Sequence, residues 1–263
     1  MKNVLYVSLA MLFLMACKES KKEEATTEMA DTTLTTSSVS DEITINPVEH
    51  ATAVLEWGGT TIYIDPVGGA KAFENQKKPD LILITDIHGD HFSLETLDFL
   101  DTSMAKIIVP QAVADKMTEN YTAQLEILNN GDSKTYKEIT VEAIPMYNLR
   151  EEALNFHTKG RGNGYVLTMG DQRIYFSGDT EDIPEMRALK NIDKAFICMN
   201  LPYTMTEQSA ASAVLEFKPK EVYPYHYRGN PDVSDVSKFK NLVNEGDDTI
   251  KVIQLDWYPD AEY

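Results

Sequence analysis

Cysteine is nearly absent: the chain has two, Cys17 and Cys198. Cys17 closes an N-terminal segment that looks destined for export, which leaves Cys198 without a partner and excludes a disulfide framework. Cys198 lies in the apolar run Ala195-Phe196-Ile197-Cys198-Met199, the setting of a buried structural thiol rather than a nucleophile. Positive charge is also short. Lys and Arg number 24 against 42 Asp and Glu, a formal net charge of −18, which argues against binding nucleic-acid backbones or anionic lipid head groups by general electrostatics. No Gly-x-Ser-x-Gly elbow occurs, so an activated serine of that kind is excluded. There is no internal repeat. Histidine is scarce too, with five in the chain, and two of the five fall within four positions.

Those two, His88 and His91, belong to the stretch Thr85-Asp86-Ile87-His88-Gly89-Asp90-His91. It follows Leu81-Ile82-Leu83-Ile84, which has the pattern of a buried strand. It precedes Ser93, an N-cap residue, and the helically spaced Leu94, Leu97, Phe99 and Leu100 of a helix over 93–101. Four groups with metal-ligand chemistry, Asp86, His88, Asp90 and His91, are therefore packed into one strand-to-helix turn, where Gly89 is expected to let the backbone fold tightly.

The N-terminus has a different character. Lys2 followed by the apolar run Val4 to Met15, too short to span a bilayer, reads as an export signal over residues 1–17. Leu14-Met15-Ala16-Cys17 resembles a bacterial lipobox, so the expectation is a protein anchored to a membrane, at the periplasmic face or cell surface, by acyl chains on Cys17. Residues 18–41, rich in Lys, Glu, Thr and Ser, cannot bury enough apolar surface to order themselves and read as a tether. Residues 42–263 suit one α/β domain.

Within that domain, Ile43 to Asn46, Ala51 to Trp57 and Thr60 to Asp65 read as strands, with a Gly58-Gly59 hairpin turn. Ala105 to Val109 and Ile139 to Tyr147 read as further strands, and Gln111 to Glu119 as a helix. Gly164 to Met169 and Arg173 to Ser177 are strands leading into Gly178-Asp179-Thr180. The helix Glu207 to Phe217, capped by Thr206, precedes the strand Glu221 to Tyr225, which ends at His226. A helix over Val233 to Val243 and a strand over Ile250 to Leu255 close the chain.

Asp86-x-His88-x-Asp90-His91 resembles the His-x-His-x-Asp-His signature of the metallo-β-lactamase superfamily, with Asp86 in place of the first histidine. Gly178-Asp179-Thr180 and His226 follow in the order of that family's bridging aspartate and last metal histidine. His50, Asp65-Pro66 and the glycine-rich loop after His157 are similar to a branch that includes ascorbate-6-phosphate lactonase-like proteins. The resemblance implies a four-layer αβ/βα sandwich. It implies metal ligands Asp86, His88, Asp90, His91, Asp179 and His226. One ion would be held by Asp86 and His88 with His157 or Asn148, the other by Asp90, His91 and His226, with Asp179 bridging.

Imidazoles and carboxylates without thiolates suit Zn2+, and the oxygen-rich set also suits Mn2+ or Fe2+. Two divalent ions, three carboxylates and a hydroxide would leave the site formally neutral. Metal-bound hydroxide forms near neutral pH because the ion lowers the pKa of its water from about 15.7 to about 7. The expected reaction is hydrolysis of an ester, lactone, amide or phosphodiester in a small-molecule or lipid-like substrate, with Asp90, His157 and Tyr227 as catalytic candidates. Tyr225 or Tyr227 could donate to a developing oxyanion. The alternative is a metal-containing surface protein that binds without turnover.

Overall fold

A computed structural model describes residues 42–259; the export segment, Cys17 and the tether lie outside the described residues. Two sheets form the domain. The first runs β1 (Thr44–Glu49), β2 (Thr52–Trp57), β3 (Thr60–Ile64), β4 (Leu81–Leu83), β5 (Lys106–Val109) and β6 (Leu125–Ile127) in chain order. Its first three strands are antiparallel and its last four parallel. The second sheet begins with an antiparallel meander of β7 (Ser133–Tyr136), β8 (Ile139–Met146), β9 (Gly162–Met169) and β10 (Gln172–Phe176). Parallel strands β11 (Lys194–Ile197), β12 (Glu221–Pro224) and β13 (Lys251–Val252) continue it. The helices are α1 (Gly69–Ala72), α2 (Leu94–Phe99), α3 (Gln111–Ala114), α4 (Pro184–Arg187), α5 (Glu207–Phe217) and α6 (Val236–Gly246).

The period-two rule of a strand explains how the layers stack. Val54, Tyr63 and Ile82 stand in register on neighbouring strands and share a core with Leu97 of α2 and Val113 of α3. Leu55, Ile62 and Leu81, one residue along, point the other way and join the larger core with Val141, Leu167 and Phe176 of the second sheet. Helix α5 buries Ala210, Ala213, Val214 and Phe217, the spacing of one helical face. Phe217 meets Tyr175 of β10 edge-on. The result is helix, sheet, sheet, helix: the four-layer αβ/βα sandwich that the sequence implies. Gly58 and Gly59 have φ of 57° and 76°, as a two-residue hairpin turn with both centres left-handed requires.

Several boundaries differ from the sequence reading. The helix expected over 111–119 is a single turn, because Lys116 and Met117 switch to bonds three residues back and Thr118 is extended before a 3-10 turn at Glu119–Tyr121. The closing strand is two residues long. Its neighbour β12 ends at Pro224, which has no N–H to extend the ladder. Helix α6 starts later than expected because Asp235, rather than an earlier residue, accepts the Lys238 N–H at 2.9 Å. Strands β6 and β7 lie toward the sheet edges and are short, so their patterning is weak.

Candidate metal centre

The chemistry-bearing residues sit where strands of both sheets end. Asp65 follows β3, the Asp86–His91 turn follows β4, Asn148 follows β8, Asp179 follows β10 and His226 follows β12, while His50 forms the turn between β1 and β2. The His226 N–H donates to the His50 carbonyl at 3.3 Å, tying one end of the second sheet to the first. His50, Asp65 and His226 all adopt left-handed φ, of 58°, 45° and 46°, a region in which Asp and His are over-represented among non-glycine residues. The Asp86–His91 segment turns because the His91 and Phe92 N–H groups both bond the His88 carbonyl. Gly89 has open space around its α-carbon and no left-handed φ, so the tight turn does not depend on glycine there.

Asp90, His91, Asp179 and His226 offer four ligand atoms that all lie within 4.8 Å of one another. His91 Nε2 is 3.4 Å from Asp179 Oδ2 and 3.1 Å from His226 Nε2. His226 Nε2 is in turn 3.2 Å from Asp179 Oδ1 and 3.4 Å from Asp90 Oδ2. The other His91 nitrogen, Nδ1, donates to Asp65 Oδ2 at 2.8 Å, and Thr85 donates to the same carboxylate through its hydroxyl (2.6 Å) and its backbone N–H (2.7 Å). Asp65 thereby fixes the His91 ring so that Nε2 faces the centre. His50 bridges Tyr258 and Asp90, with Nδ1 2.7 Å from the phenol and Nε2 3.4 Å from Asp90 Oδ2.

The electrostatics of this cluster favour a cation. Burial acts to raise the Asp179 carboxyl, but the charges of His226, His91 and His157 hold it well below the usual carboxylate range. Asp90 is held low in the same way, against burial, by hydrogen bonds from His226 and His50 and the charge of His91. Burial pushes His226 down to about 4, against the pull of Asp179 and Asp90. Burial would also lower His91, yet Asp179 and Asp65 carry it well above its ordinary value: the centre collects positive charge as a proton on His91. Asp179 Oδ1 is buried and makes no hydrogen bond. A divalent ion fits these residues, since it would take the place of that proton and satisfy the orphaned oxygen.

A second cluster, Asp86, His88 and His157, lies on the other side of Asp179, whose Oδ2 is 3.1 Å from His157 Nε2. Asp86 is fully buried, and Arg161 grips it with two bonds, Nε to Oδ1 at 3.1 Å and Nη2 to Oδ2 at 2.8 Å. His88 Nδ1 stands 2.8 Å from the same Oδ2. Burial opposes ionisation of Asp86, but the His88 hydrogen bond and the charges of His91, His88 and Arg161 keep its carboxyl below the ordinary value. Asn148 does not face the centre as a ligand. Its amide nitrogen is taken by the Ala153 and Tyr203 carbonyls, and its oxygen stands 3.4 Å from His157 Nδ1.

A cavity of about 310 Å3 opens over the two clusters, lined by His88, Asp90, Phe156, His157, Asp179, Asn200 and Tyr203. Of the catalytic candidates, Asp90 and His157 line it. Tyr227 does not: its ring packs edge-on against Tyr258 at 5.0 Å. Tyr225 is fully buried, and its hydroxyl accepts the Gly178 N–H at 3.0 Å, out of a substrate's reach. The tyrosine at the cavity is Tyr203, which sequence reasoning missed along with Asn200, Arg161 and Tyr258. Asp65 and Arg161 carried a local signal, one in Asp65-Pro66 after a strand and the other in the glycine-rich loop.

A family model described as a beta-lactamase superfamily domain matches residues 43–226. The chain belongs to the metallo-β-lactamase superfamily. A UPF0173 metal-dependent hydrolase of Pyrococcus horikoshii is 31% identical over 206 residues, covering 74% of this chain and 90% of that protein. Among solved structures, a protein of Parabacteroides distasonis, provisionally described as a metal-dependent hydrolase, superposes with a TM-score of 0.73 at 35% identity, over 82% of this chain and 94% of its own. A metallo hydrolase of Ignicoccus hospitalis shares the metallo-β-lactamase fold at 22% identity, with a TM-score of 0.67 over 81% of this chain and 94% of its own.

Proposed function

We propose that this protein hydrolyses an ester, lactone, amide or phosphodiester bond in a small-molecule or lipid-like substrate, with Asp90, His91, Asp179 and His226 holding a zinc ion. The observation that carries this reading is the convergence of imidazole nitrogens and an orphaned buried carboxylate oxygen on one point beside a cavity. When bound there, the ion would acidify a water toward neutral pH and offset charge on the oxygen of the bond being cut. Asp90, whose side chain is 42% exposed, is the carboxylate able to meet a water in the cavity and orient it by accepting its hydrogen bond. His157, at the cavity wall, holds Asp179 in place, and Asn200 and Tyr203 offer polar groups to a substrate. Among the described residues a covalent thiol route lacks a nucleophile, since burial pushes Cys198 up to about 12.

Metal analysis of the purified domain, followed by a panel of ester, lactone and phosphodiester substrates with and without chelator, tests the reading. Zinc near stoichiometric amounts and chelator-sensitive turnover are expected. Manganese or iron in place of zinc would revise the metal alone, whereas a metal-free protein, or turnover indifferent to chelator, would overturn the hydrolase.

We further propose that the enzyme is exported and anchored by lipid at Cys17, the single thiol at the end of the export segment. The Cys17→Ser protein is expected to leave the membrane fraction of cells, and undiminished membrane association would rule the anchor out.

A further inference from the structure

The second cluster has a feature that a divalent ion would have to contend with. Arg161 already fills the role of a cation for Asp86. Its guanidinium bonds both carboxylate oxygens, donates to the Phe156 carbonyl, and brings Nη2 to 3.5 Å from His88 Nε2. A guanidinium cannot shed its charge near neutral pH, and its planar fork matches a carboxylate in two places. An ion bound by Asp86, His88 and His157 would therefore stand beside a permanent positive charge and share a carboxylate whose oxygens are both engaged. The donors present do not fit a second ion while Arg161 is in place.

The two clusters together contain three carboxylates, those of Asp86, Asp90 and Asp179. With a metal-bound hydroxide counted, one divalent ion and the guanidinium leave the site one negative charge from balance, and two ions with the guanidinium leave it one positive charge from balance. Charge alone does not choose between them; the grip of Arg161 on both oxygens of Asp86 does.

We propose that Arg161 stands in the place of the second metal ion, so that this centre works with a single ion at Asp90, His91, Asp179 and His226. Asp86 is then the partner of Arg161 rather than a metal ligand. The replacement of the family's first histidine by aspartate and the arginine that meets it, 75 residues on, form one device. Arg161 is a positioning residue here: it sets the charge around Asp86 and His88 and keeps an ion out.

This inference rests on the reading of the first cluster as the resident metal site, and counting ions separates the two. Full-length protein stripped with chelator would be equilibrated with excess zinc, desalted and assayed for zinc per chain, for the wild type, Asp86→Ala and Arg161→Met. One zinc is expected in the wild type and one in Asp86→Ala, with a second gained in Arg161→Met, where Asp86, His88 and His157 are released. Two tightly held zinc ions in the wild type overturn the inference, as does loss of zinc from Asp86→Ala. A folded Arg161→Met protein that still holds one zinc also overturns it, because the guanidinium would not be what excludes the second. If Arg161→Met fails to fold, the same count on Arg161→Gln takes its place, with a second zinc expected and a single zinc overturning the inference. Absence of zinc from the wild type would instead remove the metal reading itself.

Discussion

An Asp179→Asn protein is expected to lose tight zinc binding and, with it, hydrolysis. Asp179 is the residue on which the geometry converges, within 3.4 Å of His91, 3.1 Å of His157 and 3.2 Å of His226. Asparagine keeps the size of the side chain while removing its charge and setting an N–H donor where an anion stood. Losing a group that merely orients a ligand lowers metal affinity by about 10–100-fold, so losing this one should exceed that range. Thermal unfolding gives a second readout. Zinc at about a thousand times its dissociation constant stabilises the wild type by about 4 kcal/mol, which raises the Tm of a domain this size by roughly 8–16 °C. The variant should show almost none of that rise while its metal-free form still unfolds cooperatively. An undiminished rise would mean that the ion sits elsewhere.

What the sequence makes legible, and what it hides, follows from the distance over which each residue acts. His88, Asp90 and His91 are readable because one turn presents them together, and Asp179 and His226 because each ends a strand of recognisable pattern. Asp65 is different. Its role lies in a bond to His91, 26 residues away, so the local signal of an aspartate that ends a strand before proline marks the position without showing what it does. Arg161 acts across 75 residues, and its loop advertises flexibility through glycine rather than charge through arginine. Tyr227 misleads because adjacency to His226 in sequence does not survive at a strand end: the backbone turns left-handed at His226, and Tyr227 ends up against Tyr258. The sandwich is legible because alternating apolar residues such as Val54 and Leu55 must be buried on both sides of a sheet. Edge strands and one-turn helices are not, since a few residues carry too little periodicity to distinguish them.

The second large effect concerns a residue that touches no ion. Asp65→Asn is expected to fold and yet to lose about 10–100-fold in zinc affinity. Asp65 holds a left-handed φ of 45°, which asparagine tolerates better than alanine, so the backbone should survive the change. The side chain cannot satisfy all its present partners. Thr85 N–H donates to one oxygen, and the Thr85 hydroxyl and His91 Nδ1 meet the other. Whichever way the asparagine amide is turned, one of its own N–H groups opposes a donor. If it opposes Thr85, a buried donor is left unpaired, at about 1–3 kcal/mol. If it opposes His91, the ring relieves the clash by moving its proton to Nε2, the nitrogen that faces the centre, and the lone pair needed there is lost. Both outcomes weaken the site, and they can be told apart by measuring stability in chelator alongside zinc affinity by competition. A stability loss without an affinity loss assigns Asp65 to the fold alone. An affinity loss with little change in the chelated protein's Tm shows that it works by choosing which nitrogen of His91 stays bare.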